Sequence, residues 1–278
     1  MVGLLLDCLT TSALLFLVTV GLLIIFGMMR IINFAHGAFI TVGAYSSVVA
    51  GQYGLSPWLT LILGPLAAGA IGAIAEPLVL RRLYGRQLDT ILATWGLALI
   101  ITQLVTLKFG RGTQPVDSID LGTVTVLGTP YSSYRLAVIP LVLVLSIAIL
   151  LILRRTRYGL VGRAVIMDDD LAQTLGVNVK RVRFTSFVLG SAIAGLAGAV
   201  LVPMSSVDPN LGLPWLINAF LISLLVGVST TALAFASLAL GSAQVLVGLS
   251  FNSVSATLAI PVLAVVLLRL RAHGFVRG

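Results

Sequence analysis

Residues 4–28 form one apolar run broken by a single charge, Asp7. A helix crossing the bilayer's hydrocarbon needs about 20 mostly apolar residues, and this run supplies them at the start of the chain. Further apolar runs follow at 37–51, 57–80, 88–107, 136–153, 184–202, 215–227, 231–249 and 256–270. Inside a bilayer every backbone N–H and C=O must be satisfied within the protein, so spanning segments are helices or closed barrels. These runs are too long and too unalternating for barrel strands. The expected fold is all-α: a polytopic transmembrane helix bundle of eight or nine membrane segments, forming a single domain over 1–278. The run 37–51 is short and reads as a tilted or interrupted span.

Composition supports the same class. Of 278 residues 59% are hydrophobic and only 9% charged, with a mean hydropathy of +1.13. A soluble body could not cover so much apolar surface, and disordered chains are polar and charge-rich. The 28 glycines suit close helix packing in a membrane. Gly64, Ala68 and Gly72, and again Gly190, Ala194, Gly195 and Gly198, form small-residue stripes of that kind. The one cysteine, Cys8, allows no internal disulfide and reads as a small apolar filler. No cleavable leader is expected, because the first basic residue is Arg30 and the nearest small-x-small triplet, Ala35-His36-Gly37, lies beyond it.

The net charge of +8 does not point to nucleic acid, since the basic residues sit in short clusters between apolar runs. Arg30; Arg81, Arg82 and Arg86; Arg154, Arg155, Arg157, Arg163, Lys180, Arg181 and Arg183; and Arg269, Arg271 and Arg277 are separated by even numbers of spans. They make up 14 of the 17 basic residues and can all lie on one side. Lys108, Arg111 and Arg135 remain for the other. The positive-inside rule makes the first set cytoplasmic and places the N-terminus outside. The segment 109–133, carrying Gly, Pro, Thr and Asp, then reads as an outer turn region. Trp58, Tyr131 and Tyr134 suit the membrane interface.

The connection 154–183 is too long for a plain turn. Within it Asp168, Asp169 and Asp170 precede Leu-Ala-Gln-Thr-Leu, and Gly176 follows. Acidic residues complement the dipole of a helix's first turn and Gly favours the position just past its end. A short capped surface helix is expected there, displaying Leu171, Ala172 and Leu175, either as a connector or as a docking helix.

Two resemblances bear on that choice. Asp170-Leu171-Ala172-x-x-x-Gly176 resembles the EAA-x-x-x-G signature of ABC-importer permeases, with Asp for Glu and Leu for the first Ala. In that superfamily the loop forms the coupling helix that sits in a cleft of the ATPase. More specifically, Gly27, Arg30, Asn33, Ala35, His36 and Gly37 follow the G-x-x-R-x-x-N-x-A-H-G signature of the LivH-like permeases. Arg163-Ala164, Leu175 through Asn178, Phe187 through Gly190, Ala194 through Gly198, and Asp208-Pro209-Asn210-x-Gly212 in the outer turn match the same family in the same order. The chain thus resembles the permeases of branched-chain amino acid and of urea and short-amide ABC importers, nearly end to end. The stretch 83–96, LYGRQLDTILATWG, looks most like the urea and short-amide branch. One departure is plain: after Phe220 the family's Gly-Gly-x-Gly run is replaced by Gly227-Val228-Ser229-Thr230-Thr231-Ala232.

The resemblance implies half of a translocation pathway for small polar solutes. It also implies a paralogous LivM-like permease, two cytoplasmic ATPase subunits that use ATP and Mg, an extracytoplasmic solute-binding protein, and a bacterial inner membrane with coupling loop and C-terminus cytoplasmic. The coupling residues would be Asp168, Asp169, Asp170, Leu171, Ala172, Leu175 and Gly176. The pathway or gating candidates are Arg30, Asn33, His36, Gly37 and Thr94. Asn33 and His36 lie in a polar, Gly-flanked break, where an unpaired polar group costs several kcal/mol. They either hydrogen-bond the unwound backbone or contact solute. Discontinuous helices do carry transporter sites at the midplane, but the charge pattern sets Arg30 near the cytoplasmic face, which argues against a midplane position. Gln103, Asn218, Gln244 and Asn252 read as interhelical hydrogen-bond groups.

Competing classes lack their chemistry. Neither Lys108 nor Lys180 follows a Gly-rich loop, so the chain has no P-loop, and no metalloprotease motif, nucleophile elbow or carboxylate pair is present. No catalytic residue, bound cofactor or metal is expected; His36 and the distant His273 do not make a metal site. An ion-coupled carrier would show buried carboxylates in its spans, and only Glu76 is a candidate. Its proximity to Arg81 and Arg82 reads as a helix-end ion pair.

Overall fold

The structure, a computed structural model, describes residues 1–29, 32–116, 119 and 121–270. Arg30, Arg271, His273 and Arg277 lie outside the described residues. The chain runs α1 (Val2–Met29), α2 (Ala35–Gln52), a single 3-10 turn (Pro57–Leu59), α3 (Thr60–Leu78), a second turn (Leu80–Leu83) and α4 (Gln87–Phe109). A hairpin of β1 (Thr123–Val126) and β2 (Thr129–Ser132) leads into α5 (Ser133–Arg155). Then come α6 (Arg157–Met167), α7 (Asp169–Thr174), α8 (Val179–Leu201), a third turn (Val202–Met204), α9 (Gly212–Val226), α10 (Thr230–Ser250) and α11 (Ser253–Leu270).

Seven of these helices are long and apolar enough to cross a membrane: α1, α3 with the turn before it, α4, α5, α8 with the turn after it, α10 and α11. The expected eight or nine segments therefore resolve into seven spans and two lesser helices. The expected runs at 37–51 and 215–227 are helical, as α2 and α9, but α2 is not apolar enough and α9 is only 15 residues long. At 1.5 Å per residue α9 reaches about 22 Å, short of a bilayer core of about 30 Å. Both helices are interior pieces, and 14 of the 18 residues of α2 are buried.

α1 and α8 form the centre. The most apolar window of α1 is 83% buried, against 12% for α5 and 17% for α4 and for α11. Those outer helices present leucine, isoleucine and valine outward, including Leu88, Leu92, Leu104, Leu143, Val265 and Val266. Gly195 of the second stripe meets Gly64 and Ala68 of the first, while Gly190 faces α1 and Gly198 faces α2, because without side chains the backbones can approach closely. A Cβ on Gly195 would stand 2.4 Å from Gly64 O, and one on Gly43 of α2 would stand 2.0 Å from Gly195 O. Three helices thus cross at one point that only glycine permits.

The connectors sort by charge. Arg81, Arg154, Arg155, Arg183 and Arg269 gather with α6 and α7 at one end of the bundle, where Gly27 faces Ile166 and Val228 and the Arg183 guanidinium lies 4.9 Å from the Tyr84 ring centroid. At the other end Asp7 pairs with Arg135 at 3.1 Å and accepts from Tyr131 at 2.9 Å. Burial pushes the Tyr131 phenol's pKa up, so it stays a donor there. That end also carries the hairpin, which the composition of 109–133 did not announce. Its two-residue turn is Leu127-Gly128, with φ of +48° and +82°; both central residues of such a turn need positive φ, and Leu lacks the Asn or Asp that usually signals it. The glycines missing after Phe220 are replaced by Gly227 at φ +65° and by Ser229, whose hydroxyl accepts from Ala232 N at 3.3 Å to cap α10.

Gly43→Ala forces the triple crossing apart, and we expect a loss of about 1–3 kcal/mol, read as a lower melting midpoint in detergent. Gly96→Ala, with open space around it, is expected to leave the midpoint unchanged or raise it slightly.

Candidate functional site

The bundle's most unusual feature lies at its middle. α1 ends at Met29 and α2 begins at Ala35. His36 Nε2 lies 2.9 Å from Val18 O; a carbonyl only accepts, so Nε2 carries the proton. Val18 stands eleven residues before the end of α1, roughly 16 Å from it at 1.5 Å per residue. The start of α2 therefore sits at mid-depth, not near the basic end as the charge pattern suggested. Residues 32–34 lead into this start from within the bundle, with Asn33 buried, which residue charge cannot register.

Asn33 holds this start in shape. Its Oδ1 accepts from Ala35 N at 3.1 Å and its backbone O accepts from His36 N at 3.2 Å. Thr94 of α4 accepts from Phe34 N at 3.2 Å and donates to Ile91 O at 2.9 Å. Asn33 and His36 are 1% and 0% exposed, and their Nδ2 and Nδ1 atoms have no partner among the described residues. Gly37 lies against the start of α9, where a Cβ would stand 2.9 Å from Gly212 O. Gly212 N in turn donates to Thr41 Oγ1 at 3.1 Å.

α9 thus also begins at mid-depth. The segment Asp208-Pro209-Asn210, expected in an outer turn, descends from Val207, which pairs with Gln114 just past the end of α4, into the bundle. From the junction α2 runs toward that end, where the Tyr45 and Phe109 rings lie 4.9 Å apart, and α9 runs toward the basic end. Beside the junction is a cleft of 150 Å³ bordered by Phe34, Gly37, Thr41, Trp95, Thr102 and Asn210. The Phe34 ring packs edge-on against Trp95 at 5.3 Å. Of the five pathway candidates, Gly37 borders this cleft, Asn33, His36 and Thr94 stand behind it and hold the backbone, and Arg30 lies outside the described residues. Trp95 and Asn210 were not singled out as lining residues, although both fall in the family-like stretches.

The second region is α7. Asp168 Oδ1 accepts from Asp170 N at 3.0 Å and from Leu171 N at 2.9 Å, and Gly176 closes the helix at φ +83°. Leu171 and Leu175 are 57% and 73% exposed, but Ala172 is 2% exposed. The expectation that all three are displayed is corrected: residues four apart share a helix face, while Ala172 lies 100° around and turns inward. Asp169 pairs with Arg183 of α8. Tyr84 donates to Glu76 Oε1, and Arg81 lies 3.3 Å from Glu76 Oε2. Burial and the hydrogen bond to Glu76 push the Tyr84 phenol's pKa well up, so it remains a donor.

With this geometry, residues 4–269 match the family model described as the branched-chain amino acid transport system permease component. The chain belongs to this permease family. This permease is 28% identical to the branched-chain amino acid transport permease LivH of Methanocaldococcus jannaschii over 230 residues, covering 78% of this chain and 71% of the relative. It is 28% identical to LivH of Escherichia coli K12 over 238 residues, 77% and 75% of the two chains. Among solved structures, a metal-chelate type ABC transporter in an inward-facing conformation superposes with a TM-score of 0.53 at 19% identity, over 97% of this permease and 86% of that chain. At that identity the likeness is one of fold.

Thr94→Val leaves the Phe34 N–H without its acceptor. We expect a cost of about 1–3 kcal/mol, measured as a lower thermal midpoint of the purified permease, with Thr94→Ser close to the parent.

Proposed function

We propose that the chain is the permease subunit of an ABC importer and forms half of the pathway for branched-chain amino acids. A paralogous LivM-like permease supplies the other half. Two cytoplasmic ATPases, which use ATP and Mg, drive the transport, and an extracytoplasmic binding protein delivers the solute. The observation that carries this reading is α7: a helix capped at both ends, tied to the bundle by Asp169 and Ala172, with Leu171 and Leu175 left in the open. A short rigid helix transmits displacement without chemistry of its own, and its apolar edge suits a protein cleft. The positive-inside rule assigns the basic end, and with it α7, to the cytoplasm.

The cleft supports the choice of solute. Trp95, Leu99, Leu213 and Leu216 offer an apolar wall for a branched side chain, while Thr41, Thr102 and Asn210 offer hydroxyl and amide groups to its polar end. Urea has no apolar part to use such a wall, and the LivH relatives are named for branched-chain amino acids. The mid-depth breaks suit alternating access, in which segments beside a central site move while the outer helices keep their places in the lipid.

Replacing Leu171 and Leu175 together by Asp is expected to leave a folded permease that no longer co-purifies with its ATPases; normal co-purification would refute the docking role. Uptake is also expected to stop in ATP-free vesicles. Undiminished uptake there under an imposed proton or sodium gradient would overturn the ATP-driven reading.

A further inference from the structure

Beside the packing of Ala172, polar side chains join α7 to the rest of the bundle in one chain. Asp169, in the first turn of α7, is ion-paired with Arg183, near the start of α8. The same guanidinium lies 4.9 Å from the centroid of the Tyr84 ring, in the turn between α3 and α4. The Tyr84 hydroxyl donates to Glu76 of α3, and Arg81 pairs with the other oxygen of that carboxylate at 3.3 Å. Glu76 is 0% exposed. A carboxylate buried at that depth is held by its partners, and losing one of them is costly. The Asp169–Arg183 pair and the Tyr84–Glu76 hydrogen bond are charge-assisted and directional, and a cation–π contact joins them.

The chain's course is what matters. It leaves the element that presents the exposed leucines and arrives at the adjoining ends of α3 and α4. α3 packs on α8 through the glycine crossing, and α4 carries Thr94 and Trp95, which hold and border the mid-depth cleft. The covalent route from α7 to α8 passes through an irregular turn at 175–178, which absorbs displacement more readily than a paired guanidinium does.

The geometry points to Arg183 as the positioning residue that passes the movement of α7, through Tyr84 and Glu76, to α3 and α4, and so sets how much solute is imported per ATP. This inference rests on the docking reading above. A plain helix-end ion pair would contribute to stability and leave that ratio alone.

The test uses the complete transporter in lipid vesicles, with ATPase co-purification, ATP hydrolysis and leucine import measured on each variant. Arg183→Ala and Tyr84→Phe are both expected to retain the ATPases and hydrolyse ATP, while import per ATP falls at least about fivefold, the lower edge of typical coupling between sites. Tyr84→Phe is the critical variant: it keeps the ring beneath Arg183 and leaves the Asp169 pair intact, and removes only the hydroxyl on Glu76. Arg183→Lys, which keeps the charge, is expected to recover most of the ratio. An unchanged import per ATP in Tyr84→Phe overturns the inference, as does loss of ATPase binding in Arg183→Ala, which would make Arg183 part of the dock. Failure of the docking reading is seen separately, as normal ATPase binding when Leu171 and Leu175 are replaced.

Discussion

A backbone break in the middle of a bilayer has no water to fall back on. This protein makes two such breaks, before Ala35 and before Gly212, and sets them against each other. The cost is contained locally. Asn33 and Thr94 take the N–H groups of Ala35 and Phe34, Thr41 takes that of Gly212, and His36 ties the start of α2 to Val18. Glycine at 37 and 212 lets the two starts come within backbone contact. α3, α4 and α8 pack around α2 beside this junction, and α1 packs on α8, α9 and α10.

The arrangement divides labour between middle and end. The middle holds the cleft and the starts of α2 and α9. The basic end holds α7, its two caps and the buried Glu76 network. α3, α4 and α8 join the two regions, and the glycine crossing of α3 on α8 keeps them in register. Among the described residues few charges enter the bundle interior, and the one fully buried carboxylate there, Glu76, sits with an arginine and a tyrosine rather than beside the cleft.

Much of this was legible in the residues. The long apolar runs gave the helices, and the distribution of arginine sorted the connectors between the two ends. Asp168 and Gly176 announced both ends of α7, and the small residues marked close helix approaches, Gly195 on α3 but Gly190 on α1 and Gly198 on α2. The depth of His36 was not legible, because it is set by the contact of its ring with Val18 O, eighteen positions away, and not by the charge at Arg30. The role of Thr94 needed its partner Phe34, sixty positions away. The inward face of Ala172 followed from a single helix rotation that a reading of adjacent letters overlooked. The hairpin escaped because a leucine occupies a left-handed position.

The sequence by itself determined that the chain lives in a membrane, that it folds as helices, and which connectors share a side. These follow from transfer free energies, which add residue by residue along the chain. Only the tertiary structure decided that two helices start at mid-depth, that Gly37 and Gly212 touch, and that Asp169, Arg183, Tyr84 and Glu76 join into one chain. Those are contacts between residues far apart in sequence, and their energies depend on the geometry that brings them together.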